Sequence, residues 1–323
     1  MNVNHSEAWQ KLNEADNILL LTHRCPDGDA VGSIFALYRV LRRLGKNVRC
    51  ETDPISGALR MAVADGAYSD FQPDYIVSVD LADEKLLPDN EYPYYGQIDL
   101  CIDHHVTNSG FAKYTLVDSE ASAACEVLCD MLSAAGFEPD AETAAALYMG
   151  VATDTGCFCY PNTTAKTLEA AAALIKLGAP NGEINRLIFQ TKTRAYVQFE
   201  TMAMNSVRFY LDGKCAIMIL TKSMFQRTGV TEGETHGIAA LPRQIEGVMA
   251  GIVIKERQDG SYKLSVRTND PLSAADICAV MGGGGHRLAA GCDIRASINT
   301  VINTVVAAVK DEMKSCGLCG ENT

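Results

Sequence analysis

Short apolar runs alternate with segments of helical periodicity along the first half of the chain. The runs at residues 18–21, 48–51, 75–79 and 98–102 are each four or five residues long, the length of a buried strand. Residues 30–44 instead repeat their apolar positions at helical spacing and are followed by a glycine, a common helix stop. Strands of this kind separated by helices predict a parallel sheet with helices on both faces. Further helices are predicted at residues 121–135, 141–151 and 164–177.

The pattern changes in the second half, which predicts a smaller, mixed α/β domain. Pro242 is expected to break or end one of its helices, because proline lacks the backbone N–H that a helix interior needs. We predict a first domain at residues 1–185, a helical linker at 186–208 and a second domain at 209–323. In the second domain, strands are predicted at 214–220, 248–255 and 261–266, and helices at 231–245, 274–281 and 300–314.

Composition and charge exclude several classes of protein. The 323 residues are 47% hydrophobic and 21% charged, an ordinary globular balance. A formal net charge of −12 argues against a protein that coats long nucleic acid through a broad basic face. No apolar run approaches the roughly 20 residues that span a bilayer. The polar N-terminus lacks the features of a signal peptide, so we predict a cytoplasmic protein without a membrane partner.

The cysteines agree with that location. The chain has 12 of them, and in a long chain without a secretion signal they are expected to be free thiols. Cys316 and Cys319 form a CxxC pair near the end of the chain. A zinc site needs about four ligands, and no second pair accompanies this one, so an untied tail is the favoured interpretation.

Asp and His residues stand in four clusters, three of which follow predicted strands. Ligands gather at the carboxyl ends of strands in an open parallel sheet, so we expect the clusters to meet there. A single Asp after a strand is more often a helix cap or a turn residue, but four clusters together favour a site. The clusters are His23, Asp27 and Asp29 after the first strand; Asp80 after the third; Asp103, His104 and His105 after the fourth; and Asp154 after the helix at 141–151.

These residue types predict a hydrolytic centre with two metal ions. Carboxylates and imidazoles suit manganese, iron, cobalt or magnesium. Two such ions about 3.5–4 Å apart can hold both the attacking and the leaving oxygen of a phosphoryl group. The pair needs one carboxylate that bridges the ions and further ligands on each side, and the four clusters supply enough for both.

Taken together, the motif His23-x-x-x-Asp27-x-Asp29, Asp80, Asp103-His104-His105 and Asp154 resembles the four motifs of the DHH phosphoesterase superfamily. In the second half, residues 282–286, Gly-Gly-Gly-Gly-His, resemble the glycine-rich motif of the associated DHHA1 domain. Size and motif order resemble the branch of nanoRNases (oligoribonucleases) and adenosine 3′,5′-bisphosphate (pAp) phosphatases. The resemblance implies a doubly wound parallel sheet in the DHH domain, a mixed α/β DHHA1 domain and an active site in the cleft between them.

The resemblance also implies residue roles. Two divalent ions would bind. Manganese is the expected metal, and magnesium and cobalt are the alternatives. Asp80 would bridge them, His105 would contact the scissile phosphate or help protonate the leaving oxygen, and Asp103 would orient a neighbouring histidine. The remaining ligands would be His23 and Asp27 on one ion, and Asp29, His104 and Asp154 on the other.

In the second domain, Arg267 and His286 would grip a substrate phosphate across the cleft from the metals. Gly283, Gly284 and Gly285 leave a backbone without Cβ atoms that a ligand can approach, and successive N–H groups there could bind phosphate. A flexible loop is the alternative interpretation of the glycines. His236 and Arg243 could also line the cleft, with a solvated helix face as an equal alternative.

The expected function is hydrolysis of short oligoribonucleotides, of the 3′-phosphate of pAp, or of both. The expected partners are short single-stranded RNA or nucleotides, not long nucleic acid, and a homodimer is left open. Hydrolysis of linear or cyclic dinucleotides is one alternative. An inorganic pyrophosphatase shares the metal motifs but should lack the glycine-rich segment. A non-enzymatic nucleotide sensor should have lost a metal ligand, and every motif here is filled.

Overall fold

The protein is represented by a computed structural model, which describes residues 1–55, 57–68, 70–235 and 237–318. His236 and Cys319 lie outside the described residues. The chain divides into two compact units, Met1–Thr191 and Lys192–Thr323. The predicted linker, residues 186–208, contains the end of one helix, a break at the boundary between the units, the whole of the next helix and the first residue of a strand. No helix of the described residues is long and apolar enough to cross a bilayer.

The first unit is built on a parallel sheet of five strands in the order β2-β1-β3-β4-β5. This confirms the parallel sheet predicted from the apolar runs. The fifth strand was not predicted, because it is only four residues long and lies at the edge of the sheet. The strands are β1 (Asn17–Leu21), β2 (Asn47–Glu51), β3 (Tyr75–Val79), β4 (Leu100–Asp103) and β5 (Tyr114–Val117).

The helices of the first unit include all those predicted from periodicity. One begins later than expected: residues 121–123 form a turn, in which the Glu126 carboxylate accepts hydrogen bonds from the backbone N–H and the hydroxyl of Ser122. The α-helices are α1 (His5–Glu14), α2 (Gly28–Arg43), α3 (Ala124–Ala134), α4 (Ala141–Asp154), α5 (Ala165–Lys176) and α6 (Asn181–Phe189), and 3-10 helices span Gly57–Ala62, Glu84–Leu86 and Asp89–Tyr94.

Both faces of the parallel sheet are covered, which is why its strands are apolar throughout. Ile18 and Leu20 face the larger cluster, to which α1 to α5 contribute buried side chains. Leu19 and Leu21 alternate to the other face and pack against a smaller cluster that includes Leu81. That second face is covered by short 3-10 helices and the loops around them, with no long α-helix among the described residues of its cluster.

The second unit has a six-stranded mixed sheet in the order β10-β11-β9-β8-β7-β6, in which only β7 and β8 are parallel. Its strands are β6 (Arg208–Tyr210), β7 (Cys215–Leu220), β8 (Ala250–Glu256), β9 (Tyr262–Thr268), β10 (Gly284–His286) and β11 (Ala289–Ile294). Its helices are α7 (Arg194–Asn205), α8 (Lys222–Thr228), α9 (Ala274–Ala279) and α10 (Ile298–Ser315), with 3-10 helices at Glu232–Thr235 and Ile238–Gln244.

One predicted helix of this unit is wrong. Residues 231–245 form two separate 3-10 segments instead of one α-helix. Gly237 lies between them in the left-handed conformation, with φ +79°, and Pro242 lies inside the second. Both features prevent a continuous α-helix.

Candidate functional site

The carboxyl edge of the parallel sheet carries three of the four predicted clusters. His23 follows β1, Asp80 directly follows β3, and Asp103 is the last residue of β4. The backbone N–H of Asp80 donates to the carbonyl of Ile102 at 3.0 Å, which ties the end of β3 to β4. Asp80 has φ +52°, a left-handed conformation uncommon for a residue with a side chain. Such a conformation persists where the surrounding structure imposes it, and it is frequent at functional sites.

Three further residues of the four clusters lie at helix ends. Asp27 is the N-cap of α2, and its Oδ1 accepts from the backbone N–H groups of Asp29 at 3.0 Å and Ala30 at 3.1 Å. Asp29 lies in the first turn of the same helix and is buried. Asp154 is the last residue of α4. The helix-cap interpretation of Asp27 is therefore correct, and it does not compete with a role at the site, because the same carboxylate also faces His23.

The structure brings these side chains into two groups that share Asp80. In the first group, His23 Nε2 lies 3.9 Å from Asp27 Oδ1 and 3.5 Å from Asp80 Oδ2. In the second, His104 Nε2 lies 3.9 Å from Asp29 Oδ2, 3.6 Å from Asp80 Oδ1 and 3.4 Å from Asp154 Oδ2. The two oxygens of Asp80 thus face two different histidines, as a bridging carboxylate would.

The carboxylates of the cluster create an excess of negative charge that suits bound cations. Asp80 Oδ1 is buried without a hydrogen-bond partner among the described residues, an arrangement that is costly unless another group compensates it. Burial and the nearby charge of Asp80 raise the pKa of Asp29 well above its ordinary value. Burial, with the charges of Asp27 and Asp80, raises the pKa of Asp154 to about 7. Several carboxylates lie close together here and repel one another, and divalent cations would neutralise their charges.

Both histidines of these groups are held by their other ring nitrogen. His23 Nδ1 lies 2.9 Å from the carbonyl of Arg24, and His104 Nδ1 lies 3.3 Å from the carbonyl of Ala121. A backbone carbonyl accepts only from a protonated nitrogen, so Nδ1 carries a hydrogen and Nε2 is the nitrogen that faces the site. This is the usual support of a metal-binding histidine.

His105 is oriented by a buried carboxylate. Its Nδ1 donates to Asp103 Oδ1 at 2.8 Å, and Asp103 is fully buried. This hydrogen bond, opposed by burial, raises the pKa of His105 to about 9. Burial alone would raise the pKa of Asp103, but the hydrogen bond from His105 lowers it. His105 Nδ1 also lies 3.6 Å from Asp80 Oδ1, so this pair borders the shared carboxylate.

Sequence reasoning missed two supports of the site. Asn108 Nδ2 donates to Asp103 Oδ2 at 2.7 Å, and the Asn108 side chain also bonds to the backbone at Leu81 and Gly110. Asp29 accepts from the backbone N–H groups of Ala124 at 2.6 Å and Cys125 at 3.0 Å, at the start of α3. An asparagine three positions after His105 was a weak local signal for the first support. Nothing local indicates the second, because its partners are about a hundred residues apart in the chain.

In the second unit, the structure places Arg267 and His286 on one face of the mixed sheet. Arg267 of β9 is paired with Ala289 of β11, and Ala289 is paired with His286 of β10. Directly paired residues point to the same side of a sheet, so Arg267 and His286 share a face two strands apart. His286 is exposed and Arg267 is half-buried.

The glycine-rich segment is an edge strand and not an open loop. A Cβ on Gly283 would lie 2.3 Å from the carbonyl oxygen of Gly291, and one on Gly285 would lie 2.7 Å from that of Ala289. Gly284 has open space beside it and is exposed. Gly283 and Gly285 are thus required by close packing on β11, whereas Gly284, like Gly282, has surroundings that leave room for a ligand.

A parallel sheet with Asp and His at its carboxyl edge, followed by a mixed α/β unit with a glycine-rich strand, is the arrangement of a DHH phosphoesterase. The model of the DHH family, N-terminal domain, matches residues 17–151, and the model of the DHHA1 domain matches residues 212–315. The bifunctional oligoribonuclease and PAP phosphatase NrnA of Thermus thermophilus is 30% identical over 96% of this chain and 96% of its own. The chain belongs to the DHH/DHHA1 phosphoesterase superfamily, in the branch that includes this relative.

Solved structures agree with the fold. An exopolyphosphatase-related protein from Bacteroides fragilis superposes with a TM-score of 0.85 at 22% identity, covering 97% of each chain. RecJ from Thermus thermophilus in complex with Mn²⁺ superposes with a TM-score of 0.56 at 15% identity, covering 95% of this chain and 55% of RecJ. At these identities the likeness concerns the fold alone.

Proposed function

We propose that the protein is a two-metal phosphoesterase that hydrolyses short oligoribonucleotides and the 3′-phosphate of pAp. The observation that carries the proposal is the shared carboxylate of Asp80, whose two oxygens face His23 and His104 at 3.5 and 3.6 Å. The Thermus relative is an oligoribonuclease and PAP phosphatase and matches this chain almost end to end, which supports the substrate class. The net charge of −12 agrees with a substrate too short to need a broad basic face.

The metal ligands follow from the two groups. When bound, two divalent ions would supply positive charge for the attacking and leaving oxygens of the phosphoryl group. We favour manganese, and the Mn²⁺ complex of the structurally similar RecJ supports that choice. The carboxylate and imidazole donors also suit magnesium and cobalt. His23, Asp27 and Asp80 would hold one ion, and Asp29, Asp80, His104 and Asp154 the other.

His105 is suited to proton transfer. With Nδ1 bonded to Asp103, its Nε2 is the nitrogen left for the substrate, and the hydrogen bond to Asp103 raises the pKa of the ring, which favours its protonated form. Nε2 can therefore donate a proton to the oxygen that leaves the phosphorus. Asp103 stabilises the protonated ring and fixes its orientation, and it does not itself contact the substrate.

The second unit is proposed to bind the part of the substrate that does not react. Arg267 and His286 share one face of its sheet, and the guanidinium of an arginine matches the geometry of phosphate oxygens. The exposed backbone at Gly284 lies in the same edge strand as His286. Free thiols at every described cysteine agree with the proposal that the enzyme works in the cytoplasm.

A substrate panel in manganese tests the proposal. It contains pAp, di- and pentaribonucleotides, a 20-residue oligoribonucleotide, a cyclic dinucleotide and pyrophosphate, each with metal-depleted enzyme as the control. We expect fast release of phosphate from pAp, fast cleavage of the two short oligoribonucleotides and slow cleavage of the long one. Without metal, all of these activities should be lost. Faster hydrolysis of pyrophosphate or of the cyclic dinucleotide than of all the others would reject the proposed substrate class. Activity that survives metal depletion would reject the mechanism.

A further inference from the structure

Arg243, a second arginine of this unit, has its backbone packed closely against the mixed sheet. A Cβ on Gly251 of β8 would lie 2.4 Å from the backbone nitrogen of Arg243, so the 3-10 segment Ile238–Gln244 lies directly on the strand there. Gly251 is paired with Arg267 across β8 and β9. Arg243 therefore lies over the same face of the sheet as Arg267 and His286.

The Arg243 side chain is held near Arg267 by an asparagine. Its Nη1 donates to Asn269 Oδ1 at 3.4 Å. Asn269 is itself fixed, because its Nδ2 donates to the carbonyl of Val248 at 2.9 Å and its backbone N–H to that of Met249 at 2.9 Å. Asn269 follows Arg267 by two positions along an extended chain, so their side chains point to the same face.

No carboxylate in the described part of the chain compensates the charge of Arg243. Among the described residues, no carboxylate oxygen lies within 4.0 Å of its guanidinium nitrogens, and its buried Nε has no acceptor. Other arginines of the unit are paired: Arg257 with Asp293 at 3.0 Å, Arg287 with Asp270 at 2.9 Å and Arg295 with Asp259 at 2.8 Å. In a chain of net charge −12, a guanidinium held by a neutral amide beside a second arginine is an arrangement that favours an anion.

We propose that Arg243, positioned by Asn269, binds the same substrate phosphate as Arg267, and that the two guanidinium groups select substrates with a terminal phosphomonoester. This inference rests on the proposed function. A phosphomonoester carries close to two negative charges at neutral pH, and a diester carries one, so two guanidinium groups favour the monoester. In pAp the reacting group is the 3′-phosphate, which leaves the 5′-phosphate for this pair.

Matched substrates isolate the contact. Adenosine 3′-monophosphate is pAp without the 5′-phosphate, and a diribonucleotide can be made with and without a 5′-phosphate. In manganese, the wild type should have a higher kcat/KM for the 5′-phosphorylated member of each pair. Arg243→Gln should lose about 10- to 100-fold on that member and little on the other, because one charge-assisted contact is removed. Arg243→Lys keeps the charge but lacks the planar guanidinium, so its kcat/KM on the 5′-phosphorylated member should lie between those of the wild type and of Arg243→Gln.

The control is Arg295→Gln, which removes the same charge from an exposed ion pair with Asp259. It should retain the preference of the wild type. Melting temperature and bound manganese, measured for every variant, identify misfolding. A preference unchanged in Arg243→Gln, or an equal loss on both members of a pair in a folded variant, would overturn the inference. If the wild type hydrolyses no member of either pair, the proposed function itself fails, which is a separate result.

Discussion

Replacement of Asp80 by asparagine tests the two-metal arrangement directly. The Asp80→Asn side chain keeps the size of the aspartate but has no charge and only one oxygen. Asp80 is buried, and its two oxygens lie 3.5 Å from His23 Nε2 and 3.6 Å from His104 Nε2. One group therefore faces an NH2 in place of an oxygen, and the other keeps only an uncharged amide oxygen, so both groups lose their contact with a carboxylate.

The expected magnitude follows from those two contacts. A contact with a charged group contributes about 1.5–3 kcal/mol, so two lost contacts amount to roughly 3–6 kcal/mol. If the loss falls on the transition state, kcat/KM drops by about 10²- to 10⁴-fold. The fold itself should survive, because the metal-free cluster already crowds carboxylates around a buried Asp80 Oδ1 that has no hydrogen-bond partner among the described residues. We therefore expect the metal-free variant to be at least as stable as the metal-free wild type.

Thermal melting with added manganese separates metal binding from catalysis. An ion present at 100 times its Kd stabilises the folded state by about 2.7 kcal/mol per site. For a unit of this size each kcal/mol raises Tm by about 2–4 °C, so each occupied site should add roughly 5–10 °C to the wild type. Asp80→Asn should lose most of this increase. The control Asp16→Asn, in an exposed ion pair with Lys46, should keep it.

Two results would refute the shared carboxylate. One is turnover near that of the wild type in saturating manganese. The other is a full complement of two manganese ions per chain in Asp80→Asn, measured by elemental analysis after gel filtration.

Three further substitutions test other parts of the structure. Asn108→Ala removes the donor to Asp103 and should lower kcat by about 10-fold with KM and bound manganese unchanged, in steady-state kinetics with metal analysis. Asp140→Ala removes the N-cap of α4 and should cost about 0.5–2 kcal/mol at pH 7 in urea unfolding. Burial alone would raise the pKa of Asp140, but hydrogen bonds from Thr143 lower it below its ordinary value of 3.8. The stability lost in Asp140→Ala should therefore be fully measurable above pH 3.8 and should vanish as the pH falls through the lowered pKa. Gly283→Val places side-chain atoms against β11 and should lower the Tm of the second unit by several degrees in calorimetry, whereas the matched change Gly284→Val, in open space, should alter it much less.

The sequence by itself predicted the class of the protein and named the Asp and His residues that the structure brings together. Apolar strands separated by helices predict a parallel sheet, and the geometry of such a sheet brings its carboxyl ends to one edge. Asp80 and the Asp103-His104-His105 motif were therefore expected at the same edge of the sheet, and the strand order of the structure makes them neighbours. The glycine-rich segment could also be recognised from the sequence, because glycine at several successive positions has few structural uses. The β10–β11 hairpin could not be predicted, because glycines give no pattern of apolar and polar positions that is typical of a strand.

Only the tertiary structure decided how these residues work together. The left-handed conformation of Asp80 directs its oxygens to two groups, and it depends on packing that no local pattern encodes. Asp29 is fixed by the backbone at the start of α3, and Asp103 by Asn108. Arg243 was predicted to lie on a helix, but Gly237 and Pro242 break that segment, and its close packing on Gly251 sets the position of the arginine. These features depend on contacts made in the folded chain, some of them between residues far apart in the sequence, which local periodicity and motif spacing do not contain.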